Sequence, residues 1–112
     1  MRALIIKKEW LDLIFQGVKT WEIRGSNTRI REKIELIQSG SGLVVGTCEI
    51  IDSIKLSIDD FKNNVNKHYN GIDGDLLPYK NTHAWVLRNV KRYVDPRPYK
   101  HPNGAIIWVN LD

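Results

Sequence analysis

An α+β fold, a small mixed β-barrel of about six strands with two short helices, is what this sequence predicts. Three observations lead there. Six short segments rich in apolar or β-branched residues recur along the 112 residues, and only two stretches show helical spacing. The connections are short polar turns rather than repeated strand–helix alternation, which argues against a doubly wound parallel sheet.

Each element has a local reason. Ala3–Ile6 is an apolar run suited to a buried strand. Glu9–Gln16 places Trp10, Leu11, Ile14 and Phe15 on one helical stripe, and Gly17 supplies a left-handed stop. Thr20–Arg24 reads as a strand, followed by the turn residues Gly25–Thr28 (GSNT). Lys33–Gln38 is the next strand, with Ile34 and Leu36 on one face. The tight turn Ser39–Gly42 leads into Leu43–Ile51, rich in β-branched residues. Ser57 caps the second helix, with Asp59 and Asp60 in its first turn and Lys67 and His68 in its last, as the dipole favours. Ile58, Phe61 and Val65 form its apolar stripe. Asn70–Asn81 reads as a loop, and Thr82–Arg88 as a strand running on to Val94. Asp95–Asn103 holds three of the four prolines and is expected to be irregular, before a last strand at Ala105–Val109.

Composition narrows the class. Hydrophobic residues at 42% and four tryptophans argue against disorder, and the length suits a single domain spanning 1–112. The longest apolar run, Ala105–Val109, is far too short to span a bilayer, and Ala3–Ile6, between Met1-Arg2 and Lys7-Lys8, does not read as a signal-peptide hydrophobic region. A cytoplasmic protein without membrane association is the expectation. The single Cys48 cannot form an internal disulfide and reads as a buried, inert thiol. The three histidines are scattered, so no metal site is expected. No phosphate-loop or dinucleotide fingerprint is present, so no cofactor is expected either. His101, with Tyr99 and Lys100, stands in a turn and either borders a site or is simply solvated. Oligomeric state has no signature in the sequence.

Net charge is +4, and its placement says more than its size. Residues 1–35 carry eight Lys/Arg against five Asp/Glu, residues 36–78 three against six, and residues 79–112 six against two. Should the fold join the two ends, they make one basic face suited to a polyanion, with the acidic middle on the far side.

Chemistry concentrates in Gly17–Arg24, GVKTWEIR. Strand alternation turns Trp21 and Ile23 to the core and makes Glu22 and Arg24 same-face neighbours. Lys19, just past the helix stop, is free of that parity and can swing to the mouth of the same cleft. Taken alone, these charges also fit an ordinary surface ion pair. The spacing G-x-K-x-x-E-x-R, as Gly17, Lys19, Glu22 and Arg24, resembles the signature of the ASCH domain, the activating-signal-cointegrator homology family of the PUA-like superfamily. The resemblance extends to LIIKKEWLDLIFQG before the motif and to LIQSGSGLVVGTCEI, THAWVLRNV and GAIIWVN after it.

The resemblance implies a PUA-like pseudo-barrel with a cleft beside the first helix, suited to RNA or a nucleotide-like ligand. The residues themselves suit that role. Arg24 offers a planar fork for phosphate, while Lys7, Lys8, Lys19, Arg29 and Lys100 are further cations. Ser26 and Asn27 lie in a turn able to hold a phosphate. Trp10 and Tyr79 are candidate stacking surfaces for unpaired bases, whereas Trp21, Trp85 and Trp108 sit in apolar strands and read as core. Lys19 and Glu22 are the candidate catalytic pair if the cleft is that of a hydrolase, either a ribonuclease or an amidohydrolase acting on a modified nucleoside such as acetylated cytidine. The amidohydrolase branch of the family carries a threonine three residues after the lysine. Here that position is Glu22, and the nearest threonine is Thr20.

Overall fold

The computed structural model describes residues 1–72 and 74–111. The chain opens with β1 (Arg2–Ile6) and α1 (Lys8–Phe15), which Gly17 ends at φ +81°. It continues through β2 (Trp21–Arg24), β3 (Lys33–Gln38) and β4 (Leu43–Lys55). Two short helices, α2 (Ile58–Asn63) and α3 (Val65–His68), precede β5 (His83–Pro98) and β6 (Trp108–Asn110). The six strands form one sheet in the order β2-β5-β4-β3-β1-β6, with only β1 and β3 parallel.

This sheet curls until its two ends meet. β5 and β6 stand four places apart, about 19 Å on a flat sheet, yet Trp85 and Trp108 stack with ring centroids 5.8 Å apart. β2 and β1 are also four places apart, and Arg24 Nη2 donates to the Ile5 carbonyl at 2.8 Å. Among the described residues no strand ladder joins β2 to β1 or β6, so side chains close the pseudo-barrel. Irregularities in the β4–β5 pairing at Val44/Gly46, Thr47/Glu49 and Ile50/Asp52 supply the bend. At Gly46 the approach is so close that a Cβ would stand 2.3 Å from the Lys91 carbonyl oxygen and 2.7 Å from the Phe15 ring.

Three apolar clusters hold the fold. Leu11 and Ile14 of α1 pack with Leu4, Leu36, Ile50 and Trp85 of the sheet. Trp21 and Ile23 of β2 join Phe61 of α2, and Ala3, Ile37, Val44 and Val109 form a third group. Cys48 is fully buried, and its thiol is pushed up to about 12, chiefly by burial and secondarily by the Glu22 and Glu49 charges. At neutral pH it is therefore an uncharged, inaccessible thiol.

Several boundaries differ from the sequence reading. The second helix is two helices, because Asn64 leaves helical geometry (φ −127°, ψ 31°) and spends its side-chain amide on the Asp60 carbonyl at 2.7 Å. Ser57 caps as expected, in a reciprocal pair with Asp60. β4 runs on to Lys55, and β5 reaches Pro98, so Asp95–Asn103 is irregular only beyond that point. Prolines are tolerated there because β5 pairs with β2 only over Ala84–Val86 and His83, leaving the later outer edge free of ladder bonds. The last strand shortens to Trp108–Asn110. No described helix is long and apolar enough to cross a membrane.

Candidate functional site

A cleft of about 280 Å³ opens where the two ends of the sheet meet. Ile5 and Lys7 border it from the first strand and its exit, Trp10 from α1, and Glu22 and Arg24 from β2. Asn70 and Tyr79, from the segment after α3, and Ser39 and Ile106 complete the wall.

Its floor is an ion cluster. Lys19 is 1% exposed and Glu22 4%, so both charges are desolvated and need partners close by. Lys19 Nζ donates to the His68 carbonyl at 2.5 Å and to Asn70 Oδ1 at 3.0 Å, stands 3.8 Å from Glu22 Oε1, and lies 4.8 Å from the Trp10 ring centroid. Glu22 Oε2 accepts from Arg24 Nε at 3.1 Å and Nη2 at 2.8 Å. One carboxylate thus serves two cations. Burial pulls the Lys19 ammonium down to about 8; the Glu22 charge opposes that fall and Arg24 adds to it.

His68 completes the layer beneath. It is fully buried, stacked on Phe61 at 4.0 Å, with Nε2 2.7 Å from the Phe61 carbonyl and Nδ1 accepting from the Asn70 N–H at 2.9 Å. A carbonyl only accepts, so Nε2 carries the proton and the ring is neutral. Its basicity is lowered by burial and, secondarily, by the Lys19 charge, with the Phe61 bond opposing. This neutral ring ties Asn70 in place, and Asn70 in turn meets Lys19.

Of the sequence-predicted residues, the structure brings Lys7, Trp10, Glu22, Arg24 and Tyr79 to the cleft wall and Lys19 to its floor. Lys19 does not reach the mouth, because its ammonium is drawn inward to the His68 carbonyl. Lys8 turns outward to Asp12 at 2.6 Å, and Lys100 and Arg29 are exposed away from the cleft wall. Ser26 and Asn27 are exposed as well; the Ser26 carbonyl accepts from Trp85 Nε1 at 2.9 Å. Their turn instead backs the aromatic wall: a Cβ on Gly25 would stand 3.0 Å from the Tyr79 ring. Trp21 and Trp85 are buried as expected, and Trp108 is half-buried under Arg2.

Only part of the acidic middle segment comes to the cleft, and none of its described Asp or Glu side chains lines it. Its α3 end, His68 and Asn70, forms the floor, because a buried ammonium needs oxygens that β2 alone cannot supply. Arg97 is tied to Glu35 at 2.5 Å and does not border the cleft. Asn70, Ser39, Ile106 and the Ile5 carbonyl are the site groups that sequence reasoning missed. An asparagine just after a helix C-terminus was the one usable signal.

No group of three or more His, Cys, Asp or Glu side chains among the described residues is placed to hold a metal ion. No curated protein matches the chain. Among solved structures, the ASCH protein of Zymomonas mobilis superposes with a TM-score of 0.73 at 12% identity, covering 99% of this chain and 87% of that one. A tyrosine-to-phenylalanine variant of the same protein gives 0.74 at 12% identity, over 99% and 89%. These identities speak for the fold alone. The sequence profile of the ASCH domain matches residues 4–97, which include β1 to β5 almost whole and every charged residue of the cleft. The chain belongs to the ASCH domain family.

Proposed function

We propose that the cleft binds RNA, taking single-stranded segments or the unpaired nucleotides of a structured one. The observation that carries this reading is convergence in one open cleft of two cations, Lys7 and Arg24, with two partly exposed aromatic side chains, Trp10 and Tyr79. Cations meet phosphate and the rings meet base faces, the pairing that unpaired nucleic acid requires. The PUA-like character of ASCH domains agrees with it.

Binding of a short labelled single-stranded RNA, followed across a salt series, tests the reading. Tyr79→Ala is expected to weaken binding about 5- to 150-fold, the range of one lost base stack at roughly 1–3 kcal/mol. Lys7→Ala is expected to lower the steepness of the salt dependence by about 0.7, one phosphate contact on a single strand. Arg29→Ala and Lys100→Ala, outside the cleft, should bind close to wild type. Equal affinity in all five proteins, or no binding by any, overturns the reading.

A second reading, a small hydrolase acting on RNA as a ribonuclease or on a modified nucleoside such as acetylated cytidine, is favoured by one observation. Lys19, brought down to about 8, stands 3.8 Å from a buried carboxylate, so a neutral amine is accessible near physiological pH. Against it, Glu22 Oε2 is taken by Arg24, Lys19 points at His68 and Asn70, and Thr20 is exposed rather than in the cleft. Incubation with labelled RNA and with acetylated cytidine decides between the two. Turnover on this reading rises through pH 8 and is abolished by Glu22→Gln. Turnover that survives that change at full rate removes Glu22 from the chemistry.

A further inference from the structure

A second cavity, of about 360 Å³, adjoins the cleft and shares three of its walls, Ile5, Ser39 and Ile106. Its remaining wall includes Gly40, Gly42, Tyr99 and His101. The Tyr99 hydroxyl stands 2.6 Å from His101 Nδ1, and His101 Nε2 stands 2.9 Å from the Ala105 carbonyl. The carbonyl can only accept, so Nε2 donates to it, while the tyrosine hydroxyl bonds Nδ1. The imidazole is held at both nitrogens, and the two rings meet edge to face at 5.7 Å. With both nitrogens engaged, His101 presents its ring as an oriented aromatic wall. A base that stacks on rings already locked in place loses little further freedom in doing so.

The groups near the shared wall suit the link between two nucleotides. The Ser39 hydroxyl and the Lys7 ammonium have no partner among the described residues, and both face the cleft. A cavity also lies on the opposite flank, beyond Trp10 and Asn70. It is lined by Phe61, Leu76, Leu77 and Pro78, with no cation and no hydroxyl to meet a phosphate.

Resting on the RNA reading of the cleft, we infer that the site holds at least a dinucleotide. The strand leaves the cleft across Ile106, its bridging phosphate meets Lys7 and Ser39, and the adjacent base enters the cavity walled by Tyr99 and His101. The substrate class is an oligonucleotide rather than a free nucleoside.

Titration with uridine monophosphate, then with the uridine di-, tri- and hexanucleotide, tests this. The wild type should gain about tenfold or more in affinity from mono- to dinucleotide, as a second base stacks. His101→Ala and Tyr99→Ala should lose most of that gain while binding the monophosphate like the wild type. Tyr99 packs beside Val109 and its variant is exposed to loss of folding, so His101→Ala, at an exposed position, is the deciding one. Affinity independent of length, or an undiminished gain in His101→Ala, overturns the inference and leaves the cleft reading standing. No binding at any length overturns the cleft reading and this inference with it.

Discussion

Glu22→Ala should lower the stability of the fold by about 3–5 kcal/mol at neutral pH, the cost of leaving buried charge uncompensated. The carboxylate is 4% exposed and is the anion that both Lys19 and Arg24 meet. Its removal leaves an ammonium at 1% exposure with only neutral oxygens around it. The deficit should shrink as pH rises. In the wild type Lys19 titrates at about 8 when folded and near 10.5 when unfolded. Between those values the unfolded chain holds more protons, so this group makes stability rise with pH, by up to about 1.4 kcal/mol per pH unit. Glu22 is the charge that holds the folded value up, so the variant sheds the proton at lower pH and its rise begins earlier. Cys48, pushed up to about 12, acts in the opposite direction above pH 9, and this largely cancels when variant and wild type are compared. Urea denaturation of both proteins at pH 7 and pH 9 measures the effect. An equal deficit at the two values would place the loss in packing rather than in the stranded ammonium.

Gly46→Ala should cost about 3 kcal/mol, at the upper end of overpacking, because the nearest obstacle is backbone. A methyl there lies 2.3 Å from the Lys91 carbonyl, in a stretch where Gly46 opposes Arg92 across the β4–β5 pair. The Phe15 ring, 2.7 Å away, blocks the other side. The carbonyl cannot yield without opening the pairing, whereas the Phe15 ring, half-buried, can swing aside. Gly71→Ala serves as the control, since a Cβ there meets nothing within 4 Å, and it should stay within about 0.5 kcal/mol of wild type. Denaturation midpoints of the three proteins check this. A neutral Gly46→Ala would mean the bend of β4 relaxes freely.

The fold was legible where local physics decides it. Alternation placed Trp21 and Ile23 in the core and set Glu22 beside Arg24, and Ser57 capped its helix through Asp60 as its side chain allows. Residues were misread where a distant contact decides. Nothing near Asn64 announces a helix break, and proline content alone cannot show that Pro96 and Pro98 stand on a free edge. The site divides in the same way. Cation and aromatic types singled out Lys7, Trp10, Arg24 and Tyr79, and all four line the cleft. The inward turn of Lys19 depends on a carbonyl 49 positions later, and Ile106 reaches the cleft only because β6 pairs with β1. Pairings across that span leave no periodicity to read.

The side-chain closure of the sheet makes one guanidinium serve two purposes. Arg24 is a cross-tie between the first and second strands: Nη2 divides its donors between the Ile5 carbonyl and Glu22. With Nε also given to Glu22, Nη1 is the guanidinium nitrogen that makes no hydrogen bond among the described residues. A cation of the cleft wall is thus also a seam of the sheet, so Arg24→Ala would remove a charge from the site and a tie from the fold in one step.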